Sequence, residues 1–187
     1  MIHGGWCSGT VMAIKPELAN NPTMPFMVLG AASSAISSPV RPNIFQPVAT
    51  TSTVANAMVD FASTKPGTKR IAIISHSDDW GKSHLDPELA KLKAAGIEPV
   101  EIAYLERGQV DATSQVLRIK NAKPDFVIAN LYPPELTAYL RDAYKFGLRA
   151  PVVTTQGVSV EDMVKRVGMP QATKELFVFY PLNNTLE

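Results

Sequence analysis

The stretch RIAIISHSDDWGKS, Arg70–Ser83, decides the fold. It opens on an apolar, β-branched run, crosses a short polar turn and ends where a helix can begin. The same unit recurs toward the C-terminus. Its runs are RIAIIS (Arg70–Ser75), EPVEIAYL (Glu98–Leu105), DFVIANLY (Asp125–Tyr132), APVVTTQG (Ala150–Gly157) and ELFVFY (Glu175–Tyr180). Three of them are nearly continuous in apolar residues, as strands covered on both faces are. Between the runs lie helical patterns. Leu85, Leu89 and Leu92 share one face, with Gly96 as the stop. Asp111 can cap a helix that buries Val116 and Ile119. Pro134 suits the first turn of a helix presenting Leu136, Leu140 and Ala143. Ser159 can cap a short helix carrying Met163, Val164 and Val167. Val54, Met58 and Phe61 mark one more helix ahead of the first run. Strands alternating with helices predict an α/β fold, with a parallel sheet in flavodoxin-like order and helices on both faces.

The first part of the chain differs. Met1–Gly5 reads as a short strand and Ser8–Asn20 as a helix, with Pro16 as a candidate early stop. Pro25–Ala31 reads as a second strand, and the Ser- and Pro-rich stretch from Ser33 to Pro47 as a connector. Two strands and one helix do not close a core. This segment is therefore expected to be part of a lobe, with the boundary near Phe45. Residues 1–45 form that partial lobe, 46–182 a near-complete second lobe, and 183–187 the start of a return toward the first.

The bulk numbers narrow the function classes. The chain has 187 residues, is 45% hydrophobic and carries a net charge of +1. That composition is ordinary for a globular protein and, with no Lys/Arg run, argues against nucleic acid as a partner. No apolar stretch reaches the roughly 20 residues of a membrane helix. No basic and apolar leader pattern marks a signal peptide. The single cysteine, Cys7, has no partner for an internal disulfide.

Three motifs suggest chemistry. WGKS (Trp80–Ser83) follows a strand and opens a helix, but His76 stands where the phosphate-loop motif requires its first glycine. His76, Asp78, Asp79 and His84 have metal-compatible side chains without a metal-site spacing, and they read as a polar turn. GWCSG (Gly5–Gly9) has the form of a nucleophile elbow with cysteine. A helix N-terminus favours thiolate. A cysteine-dependent hydrolase or amidotransferase also needs an oriented histidine base. His3 lies on the strand entering the turn, and His76 and His84 belong to the other half of the chain. Binding demands less. GGWCSGT and GAASS (Gly30–Ser34) end neighbouring strands with small residues and hydroxyls, where parallel sheets collect ligands. The matching strand ends of the second half offer Trp80, Tyr132 and Gln156, which suit a small organic molecule.

These residues also carry a resemblance. GGWCSGT, PFMVLGAASS, KRIAIISHSDDWGKS, the stretch from Gly108 to Leu148 and TTQGVS, in this order and spacing, resemble the branched-chain amino-acid-binding proteins. These are the type I periplasmic solute receptors of ABC importers. The resemblance covers essentially the whole chain and implies two α/β lobes closing on a ligand. It implies no catalysis, no cofactor and no metal. It also implies a periplasmic location, a membrane permease as partner and a chain that is a piece of a longer protein; the partial lobe's exposed apolar surface and unpaired strand edges are then expected to favour self-association. A sensory ligand-binding domain of the same fold shares the pattern.

By the same resemblance, Ser8 binds a ligand carboxylate, and Trp6 and Cys7 line an apolar pocket. Ala31 offers a carbonyl to the ligand ammonium and Ser33 a hydroxyl to the carboxylate. Trp80 and Tyr132 cover the pocket from the second lobe. In several members the cysteine matching Cys7 pairs with another upstream; here it is expected to be a free thiol. One departure stands out: amino-acid receptors place a glutamate where this chain has Gln156. An amide does not neutralise a buried ammonium. An aromatic or other apolar acid is therefore expected ahead of an amino acid.

Overall fold

The computed structural model describes residues 1–155, 157 and 159–179. Two parallel sheets organise them. The first has the order β1-β2-β3, from β1 (Ile2–Gly4), β2 (Phe26–Val28) and β3 (Ile44–Phe45). Helix α1 (Ser8–Asn20) crosses from β1 to β2 and buries Val11 and Leu18 against Phe26, Val28, Ile36 and Ile44.

Two details of this lobe differ from expectation. The connector contains a strand, β3, which pairs with Phe26 and Met27. Its two residues are too few to show a period. What holds it is the buried Asn43 beside it, whose amide donates to the carbonyls of Leu18, Asn21 and Met24 at 2.8, 3.1 and 3.2 Å. Helix α1 also runs through Pro16. Proline forfeits one hydrogen bond and crowds the preceding turn. Pro16 faces solvent, while Val11 and Leu18 keep the buried stripe intact.

Residues 46–50 lead into α2 (Thr51–Thr64), which packs on the second sheet. That sheet has five parallel strands in the order β5-β4-β6-β7-β8. They are β4 (Ile71–His76), β5 (Glu101–Leu105), β6 (Phe126–Asn130), β7 (Val152–Thr154) and β8 (Leu176–Val178). Numbered from β4, this is the flavodoxin order 2-1-3-4-5. Apart from β4, the strands are shorter than their apolar runs. Pro99 has no N–H to give, and pairing of β5 begins at Glu101 opposite Ala72.

Alternation along β4 divides the core. Ile71 and Ile73 face α2 and α3 (Asp79–Ala94), together with Phe126, Ile128, Leu85 and Leu92. Ala72 and Ile74 face α4 (Thr113–Asn121), α5 (Pro133–Lys145) and α6 (Val160–Val167), through Val116, Leu136, Tyr139 and Met163. Ser159 caps α6, accepting from the Asp162 N–H at 3.0 Å. Asp111 is not the cap of α4. That position falls to Ala112, whose N–H goes to Asp142 at 2.8 Å, while Asp111 accepts from Thr113 at 2.9 Å. Gly96, at φ +70°, follows α3 as its stop. Among the described residues no helix is long and apolar enough to cross a membrane.

Candidate functional site

The strand order creates the site. From β4 the chain leaves along α3 on one face of the sheet, and from the adjacent β6 it leaves along α5 on the other. The two turns diverge and open a crevice at their carboxyl ends. Trp80, in the first turn of α3, and Tyr132, just before α5, meet there with ring centroids 4.3 Å apart at 23°. His76, the last residue of β4, lies 4.8 Å from the Tyr132 ring, and its Nε2 accepts the Tyr132 N–H at 3.2 Å. His84 stacks edge-on behind Trp80 at 4.5 Å.

The third strand end supplies a cation. After β5, Arg107 lies with its guanidinium 4.4 Å above the Tyr132 ring and donates to Asp78 at 2.9 Å. Its turn is fastened on both sides. Gly108 N–H donates to the buried Glu135 at 2.6 Å, and Ser77 donates to Glu106 at 2.7 Å.

The electrostatics follow from this packing. Burial pushes Asp78 up, but the Gly81 N–H and Arg107 outweigh it and hold its carboxyl below the ordinary range. The Asp78 bond holds the Arg107 guanidinium further above its ordinary value. Burial, then Asp78, pushes the Tyr132 hydroxyl up to about 12. Burial lowers both histidines; Glu135 and Asp78 only partly restore His76, and His84 falls to about 4. At neutral pH both rings are uncharged.

The first lobe faces this crevice with its own turn. Gly5, at φ +78°, leaves no room for a Cβ beside Val11, so glycine is required there. The Gly5 carbonyl accepts from the N–H groups of Gly30 and Ala31 at 3.1 and 3.0 Å, which joins the two glycine turns. Ser8 is buried, and its hydroxyl accepts the Ser33 N–H at 3.2 Å. Cys7, Ser8, Gly9 and Thr10 then line a cleft of about 210 Å³ with Asp78, Asp79, Trp80, Arg107 and Tyr132.

Of the residues expected from the sequence, Cys7, Ser8, Trp80 and Tyr132 come together in this cleft. Trp6 does not line it; it is 79% exposed and lies over Gly30, where a Cβ would strike the indole. Ala31 and Ser33 are buried beside the cleft, and both carbonyls accept from the Gln46 amide, at 2.9 and 3.1 Å. Gln156 lies outside the described residues. Residues 183–187 do as well. Sequence reading missed Arg107, and it took Asp78 and Asp79, which also line the cleft, only as part of a polar turn. Arg107 was reachable by counting the end of β5 among the strand ends that open on the cleft.

Among the described residues no histidine makes a hydrogen bond to Cys7. Its Sγ receives Arg107 Nη1 at 3.8 Å. His76 is engaged with Tyr132, and His84 bonds to the Trp80 carbonyl at 3.1 Å and Thr155 at 3.4 Å. Among the described residues no three His, Cys, Asp or Glu side chains converge as a metal site.

Comparison with known proteins gives this geometry a setting. A family model described as periplasmic binding protein matches residues 1–185. Leu/Ile/Val-binding protein homolog 7 of Brucella melitensis is 26% identical over 166 residues, covering 83% of this chain and 41% of that protein. A branched-chain amino acid ABC transporter structure from Thermus thermophilus with bound valine superposes at TM-score 0.79 and 17% identity. It covers 89% of this chain and 44% of that one. An ABC transporter solute binding protein from R. palustris in complex with 4-hydroxybenzoate gives TM-score 0.73 and 23% identity, over 82% and 42% of the two chains. The chain spans less than half the length of these relatives.

Proposed function

The chain belongs to the periplasmic binding protein family, and from that premise we propose that it captures a small carboxylate-bearing solute for an ABC importer. The ligand sits between two lobes on the extracytoplasmic side, and lobe closure is what a membrane permease reads. No reaction is catalysed. The observation that carries this reading is the cleft itself. Strand ends of both sheets line it, with the Trp80–Tyr132 stack as a wall and Ser8 opposite. An aromatic wall set among hydroxyl and charged side chains suits a small organic acid.

Two features favour an aromatic or other apolar acid without an ammonium. Gln156 stands where an amino-acid receptor has a glutamate, and the Ala31 carbonyl already serves the Gln46 amide. One observation favours a branched-chain amino acid instead. Asp79 lines the cleft, with its carboxylate 3.7 Å from where a Cβ on Gly9 would sit, and it can supply the missing negative charge. Calorimetry of the full-length protein with 4-hydroxybenzoate and with L-leucine separates the two. Tight leucine binding with no response to the aromatic acid would eliminate the first. In that protein Gln156→Glu is expected to shift preference toward leucine.

A further inference from the structure

We propose that Arg107 is the charge partner of the ligand carboxylate from the second lobe, so that one carboxylate is gripped from both sides of the cleft. This rests on the reading of the cleft as a solute site. It goes further by naming the group that selects for acids and couples their binding to closure.

Four observations carry it. Arg107 is the one Lys or Arg among the described residues lining the cleft. Its guanidinium is held in position, 4.4 Å over the Tyr132 ring with one bond to Asp78 at 2.9 Å. Its backbone turn is fixed by the buried Glu135 through Gly108 at 2.6 Å. Its other terminal nitrogen, Nη1, points across the cleft to the first lobe, where among the described residues it meets only the Cys7 thiol, at 3.8 Å. A thiol is a weak acceptor and leaves most of the guanidinium's five donors uncommitted.

A planar, fixed, permanently charged fork with spare donors recognises a carboxylate well. Cys7 immediately precedes Ser8 and the first turn of α1. A carboxylate that replaces the thiol contact is within reach of Arg107 on one side and the Ser8 turn on the other. An amide of the same shape would lack the charge. Asp78 plays the opposing part: it orients the guanidinium and draws on the same positive charge.

The test is acid-against-amide discrimination in the full-length protein, by calorimetry. The probes are 4-hydroxybenzoate with 4-hydroxybenzamide, and L-leucine with L-leucinamide. The wild type should prefer the acid of the pair it binds. Arg107→Gln should weaken that acid roughly ten- to a hundredfold, the range of a charged hydrogen-bonded contact, and leave the amide unchanged. Arg107→Lys should fall between. Asp78→Asn keeps a side chain able to cap α3 but removes the competing charge, and it should tighten acid binding. An unchanged acid-to-amide ratio in Arg107→Gln, with binding retained, overturns the role of Arg107 and leaves the solute reading standing. Failure of a broad panel of apolar and aromatic carboxylates to bind the wild type overturns both.

Discussion

Replacing Glu88 with glutamine isolates one buried acid. Glu88 lies on α3 and is 0% exposed. One carboxylate oxygen accepts from the Asn130 amide at 2.9 Å, and the other has no partner among the described residues. Burial pushes its carboxyl from the ordinary 4.5 up to about 8, against the opposing pull of Asn130. Between those values the folded chain keeps a proton that the unfolded chain has released. The unfolded state binds fewer protons there, so stability falls as pH rises, and the loss is complete above the folded value. The cleanest window lies above 6.5, the ordinary histidine value, where buried His84 is neutral in both states. From there to about 8, at about 1.4 kcal/mol per pH unit, the loss is about 2 kcal/mol. Glutamine has the same shape, keeps an oxygen for Asn130 and does not titrate. Urea unfolding followed by tryptophan fluorescence, at several pH values across this window, should show wild type losing about 2 kcal/mol relative to Glu88→Gln. A difference between the two proteins that does not change with pH would refute the reasoning.

His84 acts in the opposite direction on the acid side. Its folded value is depressed to about 4, so its own contribution falls as pH drops from 6.5 toward 4, by about 3 kcal/mol in all, against the opposite change from Glu88 over the shared range. As pH drops through that range, His84→Gln should gain about 3 kcal/mol relative to wild type in the same assay; a difference that does not change with pH would count against it. Gly81→Ala should cost about 1–3 kcal/mol, because the added Cβ would press into the His76 backbone, which cannot swing aside. Thermal unfolding reports it, and an unshifted midpoint would contradict the packing. Cys7→Ser in the full-length protein should leave solute affinity within a few-fold by calorimetry; loss of a turnover activity would instead identify a nucleophile. The three-stranded sheet leaves the outer edges of β1 and β3 unpaired among the described residues, and Ile2, Trp6, Leu29 and Phe45 are exposed. Light scattering of this chain should show concentration-dependent self-association, and a strict monomer at high concentration would rule it out.

The sequence by itself determined the second sheet. Runs such as RIAIIS and DFVIANLY are too continuously apolar to have a wet face, and helices between them allow only right-handed parallel crossovers. The caps and stops at Ser159, Pro134 and Gly96 were legible because they act within a few residues of themselves. So was the pairing of a glycine turn in one lobe with aromatic strand ends in the other. What depends on distant neighbours was not legible. Strand β3 is two residues long and exists because Phe26 and Met27 offer it an edge and Asn43 closes the end of α1. Pro16 stays inside α1 because it lands on the solvent face.

The site shows the same division. Trp80 and Tyr132 could be named from strand ends, but that they stack follows only from β4 and β6 being neighbours whose connections part to opposite faces. Arg107 comes from the strand on the far side of β4, and a salt bridge to Asp78, 29 residues away in the chain, brings it into the cleft. Local pattern encodes which faces are apolar and where elements begin and end. Tertiary packing decides which strand ends meet, and therefore which charge faces the cleft.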